Sequence, residues 1–257
     1  MASLDDIPGS SESEAFSALA DRRAAREPFQ YVVGYTEFMG RTFHVEPGVL
    51  IPRPETEELV IRALGRLEAV SDGRVLDAGT GSGCIAVSLA AERPDMEVLA
   101  LDISAEALHV ARGNAARNNV RVSFLKGDIL TGGALSRDML SGGVHSGSAA
   151  LPPLDMIVSN PPYVPVAERD GLEPEVRDHE PALALFVDGD GLQFYRALAE
   201  AGKGALVAGG MLLMEIHADT GGAIMNMLAD AGYARTICHK DASGRHRVVE
   251  AVWPGSG

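Results

Sequence analysis

The chain has only two cysteines, Cys84 and Cys238, in 257 residues, which excludes the disulfide framework that holds small secreted domains together. Both read as reduced, small apolar side chains in a cytosolic, cytoplasmic protein. Basic residues are also scarce: 22 Lys and Arg stand against 36 Asp and Glu, a net charge of −14. A surface that acidic repels phosphate backbones. The richest basic clusters, Arg22-Arg23 with Arg26 and Arg245 with Arg247, are short. Duplex DNA is therefore a poor partner. No apolar run reaches the roughly 18 residues that span a bilayer. The opening MASLDDIPGSSESE lacks the basic-then-apolar pattern of a secretory signal. Seven scattered histidines sit at no metal-ligand spacing, so no metal is expected. There is no internal repeat.

What is present is an ordinary globular composition, 46% apolar and 23% charged. That is enough for one large α/β domain with a small appendage. Residues 14–26 read as a short helix with Phe16 and Leu19 on one side. Residues 28–45 read as a β-hairpin broken at Met39-Gly40. Pro47, Pro52 and Pro54 then force a stiff, extended segment, after which Thr56 is placed to cap a helix carrying Leu59, Val60, Ala63, Leu64 and Leu67. From Gly73 strands and helices alternate, as in a parallel sheet. Strands are expected at 74–77, 97–102, 120–126, 155–159 and 210–216, and helices at 84–92, 105–118, 191–201 and 221–231. Two further β runs, 234–239 and 247–253, flank a turn at 241–244. Residues 131–153 are Gly/Ser-rich and read as a mobile loop with a helical turn near 134–140. The resulting expectation is a Rossmann-like fold: a mostly parallel seven-stranded sheet with an antiparallel C-terminal strand. Its domains divide as a shortened helical segment at 1–27, a hairpin linker at 28–52 and a catalytic domain at 53–257.

Two motifs carry chemistry. The first is a strand, Val75-Leu76-Asp77, entering the turn Ala78-Gly79-Thr80-Gly81-Ser82-Gly83 ahead of a helix. Glycines let a ligand approach the backbone with no Cβ in the way. Asp102, closing the next strand, can accept from both hydroxyls of a ribose. An adenosine-bearing ligand is implied, NAD or S-adenosylmethionine. The alternating glycines lean away from the Gly-x-Gly-x-x-Gly of a dinucleotide site. Asp77 suits a cationic ligand, or else is a turn or capping residue.

The second motif is a buried strand ending in Asn160-Pro161-Pro162-Tyr163. Prolines donate no N–H, so the turn presents carbonyl oxygens at preset φ. Asn160 adds a side-chain carbonyl and Tyr163 an aromatic face. That set suits a planar NH2 group, whose lone pair is delocalised and nucleophilically weak. Held by acceptors, the nitrogen can pyramidalise towards an electrophilic methyl. An adenine amine is also such a group, and a nucleic-acid adenine methyltransferase is one alternative, opposed by the charge. An NAD-dependent oxidoreductase and a non-catalytic binding module are others.

Together these motifs resemble the HemK/PrmC family, protein-(glutamine-N5) methyltransferases acting on the Gly-Gly-Gln loop of peptide-chain release factors. The likeness extends to Glu27 through Tyr31, Gly34, Phe38, Phe43 through Glu57, Glu180-Pro181-Ala182-Leu183, Asp190-Gly191-Leu192 and Tyr195-Arg196. It implies a class I methyltransferase fold and S-adenosylmethionine as cofactor, yielding S-adenosylhomocysteine. The cofactor would be held by Asp77, Gly79, Thr80, Gly81, Ser82, Gly83, Asp102, Asp128, Ile129 and Asn160. Asn160, Pro161, Pro162 and Tyr163 would hold the glutamine amide of a release factor. Arg53, Glu55 and Thr56 fall in a segment that lines the same cleft in the family. No direct nucleic-acid or membrane partner is implied. A ribosomal-protein glutamine methyltransferase is the near alternative. The family usually carries several N-terminal helices where this chain has residues 1–27, and Gly and Gln-Gly where His217 and Thr220-Gly221 stand.

Overall fold

The computed structural model describes residues 10–131 and 153–255, with side chains from residue 13 onward. The Gly/Ser-rich stretch at 132–152, and the helical turn expected within it, lie outside the described residues.

Seven strands form the central sheet: β3 Arg74–Ala78, β4 Glu97–Asp102, β5 Ser123–Lys126, β6 Leu154–Ser159, β9 Leu206–Glu215, β10 Ala234–Lys240 and β11 His246–Val252. Their order is β10-β11-β9-β6-β3-β4-β5. Strands β3, β4, β5, β6 and β9 pair in parallel, while β11 runs against both β9 and β10. The expected class I methyltransferase topology is therefore present. Strand β3 is buried along nearly its whole length, as a strand covered on both faces must be. Between β6 and β9 the chain also makes a two-residue parallel pair, β7 Val164–Pro165 with β8 Phe186–Val187, and a short helix α7, Ala182–Leu185.

Side chains alternate between two cores. Val75, Met156, Val158, Leu213 and Val248 face one side, where helices α3 Glu57–Leu67 and α4 Cys84–Glu92 pack. Leu76, Ile157, Leu212, Met214 and Val249 face the other, under α8 Gln193–Ala205 and α9 Gly221–Asp230. This two-residue period is the pleat itself. Helix α5 Ala105–Arg117 is capped by Ser104, whose hydroxyl oxygen accepts from the Ala107 N–H at 3.1 Å.

Topology locates the site. The chain moves outward from β3 to β4 and β5, then returns to lay β6 on the opposite side of β3. The carboxyl end of β3 is thus a switch point, where open α/β sheets leave a crevice. The ends of β4 and β6 flank it, two strand spacings apart, about 10 Å.

The hairpin β1 Tyr35–Phe38 and β2 Arg41–His44 turns at Met39-Gly40, both with positive φ, and buries Phe38 and Phe43 edge to face. The expectation that the hairpin begins at residue 28 needs correction. Phe29–Val33 is a short helix, α2, entered from Pro28 and closed by Gly34 at φ +84°. Aromatic and β-branched residues favour strand there, but the left-handed Gly34 cap and the burial of Tyr31 and Val32 decide for helix. Helix α1, Ser10–Ala24, precedes it with Phe16 and Leu19 exposed. Ion pairs of Arg23 and Arg26 with Glu175 bring the end of α1 to α6, Pro174–His179.

Ile157 lies fully buried at the sheet centre. Ile157→Ala is expected to cost about 2–5 kcal/mol, read as a lowered urea midpoint with an unchanged slope. Phe29→Ser, at a 60% exposed position, should change the stability by less than about 0.5 kcal/mol.

Candidate active site

One cleft, of about 360 Å³, runs across the carboxyl ends of β4, β3 and β6. Gly79, Thr80, Gly81, Ser82, Asp102, Asp128, Ile129, Asn160, Pro161 and Pro162 all line it. Residues about 80 positions apart in sequence thus share one wall. Asp77, Gly83 and Tyr163 do not reach it.

The glycine loop is built by backbone geometry. Gly79, Gly81 and Gly83 all have positive φ. The N–H groups of Gly79 and Thr80 donate to the Leu101 carbonyl at 2.8 and 2.9 Å, tying the loop to β4. At Gly83 a Cβ would come within 3.0 Å of the Ala111 Cβ and 3.1 Å of its Cα, so α4 and α5 can approach only over glycine. Asn114, wholly buried in α5, clamps this corner. Its Nδ2 donates to the Ser82 carbonyl at 2.8 Å, and its Oδ1 accepts from the His44 N–H at 2.7 Å. Nothing in the sequence pattern singles out Asn114 except an amide set among apolar helix positions.

Asp102 uses part of its capacity internally, accepting from Gly81 N–H at 2.8 Å and Ser104 N–H at 2.9 Å. A carboxylate has about four acceptor sites, so lone pairs remain for a ribose diol. Burial raises its pKa, opposed by those backbone donors. Apolar Leu101, Ile103 and Leu130 line the same cleft, suiting a flat base. Asp128 caps the turn Ile129–Thr131 through the Leu130 N–H, 2.8 Å away. Gly79 and Gly81 leave open space where a Cβ would stand. The walls therefore fit a nucleoside ligand.

Asp77 is placed differently from a ligand contact. It is fully buried behind the loop, where Oδ2 accepts from the Thr80 hydroxyl at 2.6 Å and the Ala86 N–H at 3.1 Å. Its Oδ1 is buried with no partner among the described residues. Desolvation pushes its pKa up to about 7.

At the other end, Asn160 Nδ2 donates to the Thr56 hydroxyl oxygen at 3.1 Å. With Nδ2 so engaged, Asn160 Oδ1 has no protein partner among the described residues. Thr56 occupies the N-cap position of α3, yet its hydroxyl makes no capping bond. The expected cap is thus replaced by a cross-link to the Asn160-Pro161-Pro162-Tyr163 turn. Tyr163 is partly buried; its hydroxyl turns away to donate to Glu215 Oε1 at 3.0 Å, and its ring tilts against His217. Arg53, on the cleft wall, pairs with the carboxylate of Glu180, which also accepts from Ile51 N–H at 3.0 Å. Glu180 so fastens the proline-rich segment to the Glu180-Pro181-Ala182-Leu183 stretch. Glu215, which the sequence pattern marks only as a neighbour of His217, is buried beside this turn.

The folded pKa of Asp77 lies above its unfolded value, so the folded state holds the proton more tightly between about pH 4 and 7. This contribution is fully present below pH 4 and is lost as pH rises through 7. Asp77→Asn should therefore flatten the fall in melting temperature between pH 5 and 8; an unchanged slope would contradict burial as the cause of the shift.

Residues 57–141 match the Methyltransferase small domain family. The chain is 44% identical over 231 residues to a release factor glutamine methyltransferase of Bacteroides thetaiotaomicron, covering 90% of this chain and 77% of the relative. It is 43% identical to the protein of the same name from Cereibacter sphaeroides, covering 98% and 84%. Among solved structures, a Thermus thermophilus 16S rRNA methyltransferase in complex with AdoMet and guanosine superposes with a TM-score of 0.55 at 18% identity, covering 85% of this chain and 49% of that one. This last likeness speaks for the fold. Identity above 40% over more than two thirds of these curated relatives places the chain in the release factor glutamine methyltransferase family.

Proposed function

We propose that the protein transfers a methyl group from S-adenosylmethionine to the side-chain amide nitrogen of the glutamine in the Gly-Gly-Gln loop of a peptide-chain release factor. The observation that carries this reading is the Asn160–Thr56 bond. It leaves Asn160, which lines the same cleft as Asp102 and the glycine loop, with an amide oxygen that has no protein partner among the described residues.

The cofactor supplies an electrophilic methyl on a sulfonium. Asp102 and the Gly79–Gly83 turn would hold its nucleoside part, with Asp128 and Ile129 beside the base. Asn160 Oδ1 and the carbonyl oxygens of the Pro161-Pro162 turn would accept the two hydrogens of the glutamine NH2. Acceptors so placed favour a pyramidal nitrogen and tolerate the positive charge that grows on it. One such contact is worth about 3 kcal/mol, and in-line placement adds the proximity contribution. The cofactor would give up its methyl and leave as S-adenosylhomocysteine, its sulfur keeping the electron pair of the S–C bond, and the methylated nitrogen would lose one of its two hydrogens to solvent as a proton. Neither a metal nor a covalent nucleophile enters the step. Asp77 acts as a positioning residue for the loop, and Tyr163 holds the turn from behind.

The partner is a protein loop. The net charge of −14 argues against direct nucleic-acid binding. Among the described residues no helix is long and apolar enough to cross a membrane. A reaction on release factors belongs in the cytoplasm, where they meet the ribosome.

Mass spectrometry of a release factor incubated with enzyme and S-adenosylmethionine should show one added methyl on the Gly-Gly-Gln glutamine. An unmodified glutamine at saturating cofactor would contradict the reading. Asn160→Ala should lower kcat by about 100-fold while cofactor affinity stays within a few fold. Asp102→Ala should weaken cofactor binding by at least about 10-fold, or 1.4 kcal/mol, by calorimetry.

A further inference from the structure

Arg53 is the only basic residue on the cleft wall among the described residues, where it stands with three acidic ones, Asp102, Glu106 and Asp128. The acidic residues lie where β4 ends, where α5 begins and beyond β5, on the side that suits a nucleoside. Arg53 belongs to the other end. Its carbonyl accepts from the Thr56 N–H at 3.0 Å, and the Thr56 hydroxyl holds Asn160. A guanidinium stays charged at any working pH, so on its own it would repel a cationic ligand at this end. That charge is met from behind the wall. Glu180, whose side chain is 1% exposed against 30% for Arg53, accepts from Arg53 Nη2 at 2.5 Å and from the Ile51 N–H at 3.0 Å. Glu180 does not reach the cleft, whereas Pro52 from one segment and Pro181 and Leu183 from the other do. Taking a carboxylate out of water is costly unless it is paired and hydrogen-bonded, and here both conditions are met.

We propose that Glu180 is a positioning residue whose buried carboxylate cancels the Arg53 charge at the Asn160 end of the cleft, so that this end accepts a sulfonium. The inference rests on the S-adenosylmethionine reading. A methyl carried in line with an amide nitrogen at Asn160 brings its sulfur to the end of the cleft whose wall includes Arg53. S-adenosylmethionine has a positive charge on that sulfur and S-adenosylhomocysteine has none, while both keep the same nucleoside, carboxylate and amine. An uncancelled guanidinium therefore disfavours the first and spares the second. With the pair intact the wall is close to neutral, and the guanidinium is held on Glu180 rather than turned towards the ligand. The same carboxylate ties the segment through Ile51 and Arg53 to the stretch that opens at Pro181, so charge and shape at this end depend on one group.

Calorimetry with both ligands separates the charge from the shape. Glu180→Gln is nearly isosteric and keeps an acceptor for the Ile51 N–H, but it removes the negative charge. It should weaken S-adenosylmethionine by about 10-fold, the worth of one uncancelled charge at the effective dielectric of a protein surface, and leave S-adenosylhomocysteine within about twofold. The double variant Arg53→Gln with Glu180→Gln removes both charges and should restore the wild-type ratio of the two dissociation constants, a recovery that a lost staple alone would not produce. S-adenosylhomocysteine binding shows at the same time that each variant is folded. An unchanged ratio in Glu180→Gln, equal weakening of both ligands, or a ratio that the double variant fails to restore would overturn the proposal. So would Arg53→Gln weakening both ligands alike, which would make Arg53 a contact to the carboxylate they share. If the wild type binds no S-adenosylmethionine, the cofactor reading fails and the proposal falls with it. If it binds but leaves the release factor unmethylated, only the substrate reading fails, and the ratio still decides the role of Glu180.

Discussion

An amide nitrogen is a weak nucleophile because its electron pair belongs to the carbonyl beside it. In the proposed reaction one hydrogen bond answers that constraint, from Asn160 Nδ2 to the Thr56 hydroxyl. It converts a freely rotating side-chain amide into a fixed acceptor at the end of β6. The prolines that follow contribute no competing donors.

The sheet does the coarse placement. Parallel strands β4, β3 and β6 end together, and Ser159 Oγ donates to the Ala78 carbonyl at 2.6 Å, so the glycine turn and the Asn160 turn start from a common point. A nucleoside held at Asp102 would reach about two strand spacings to the Asn160 corner. The finer placement comes from outside the sheet. The stiff segment through Pro52 and Pro54 delivers Thr56 to Asn160, and the Arg53–Glu180 pair fastens that segment from its far side. Asn114 does the same for the hairpin and the glycine loop. These are buried polar groups whose partners are other elements, the arrangement by which cores specify a single geometry.

The parts legible in the sequence are those whose signal is local. Strands β3, β4 and β6 are readable as apolar runs stopped by Gly, Asp or Pro, and Gly79, Asp102 and Asn160 beyond their tips line the cleft. What failed was decided at a distance. Residues 29–33 carry strand-favouring side chains, but burial and the Gly34 cap make them helix. Thr56 looks like a helix cap because capping is judged from neighbours, whereas its partner stands 104 positions away. Asp77 reads from its neighbours as a ligand contact or a turn residue, and only the fold shows its Oδ2 accepting from Thr80 and Ala86 while its Oδ1 is buried without a partner among the described residues. Glu215 is marked in the sequence only as a neighbour of His217; in the fold it is buried and accepts from the Tyr163 hydroxyl, 52 positions earlier.

A ternary structure with S-adenosylhomocysteine and a Gly-Gly-Gln peptide tests the role of Asn160 most directly. The glutamine nitrogen is expected within about 3.2 Å of Asn160 Oδ1 and on the sulfur side of the Pro161-Pro162 turn, with Asn160 Nδ2 still on Thr56. A glutamine seated away from Asn160, or an Asn160 amide turned over with its NH2 towards the peptide, would contradict it.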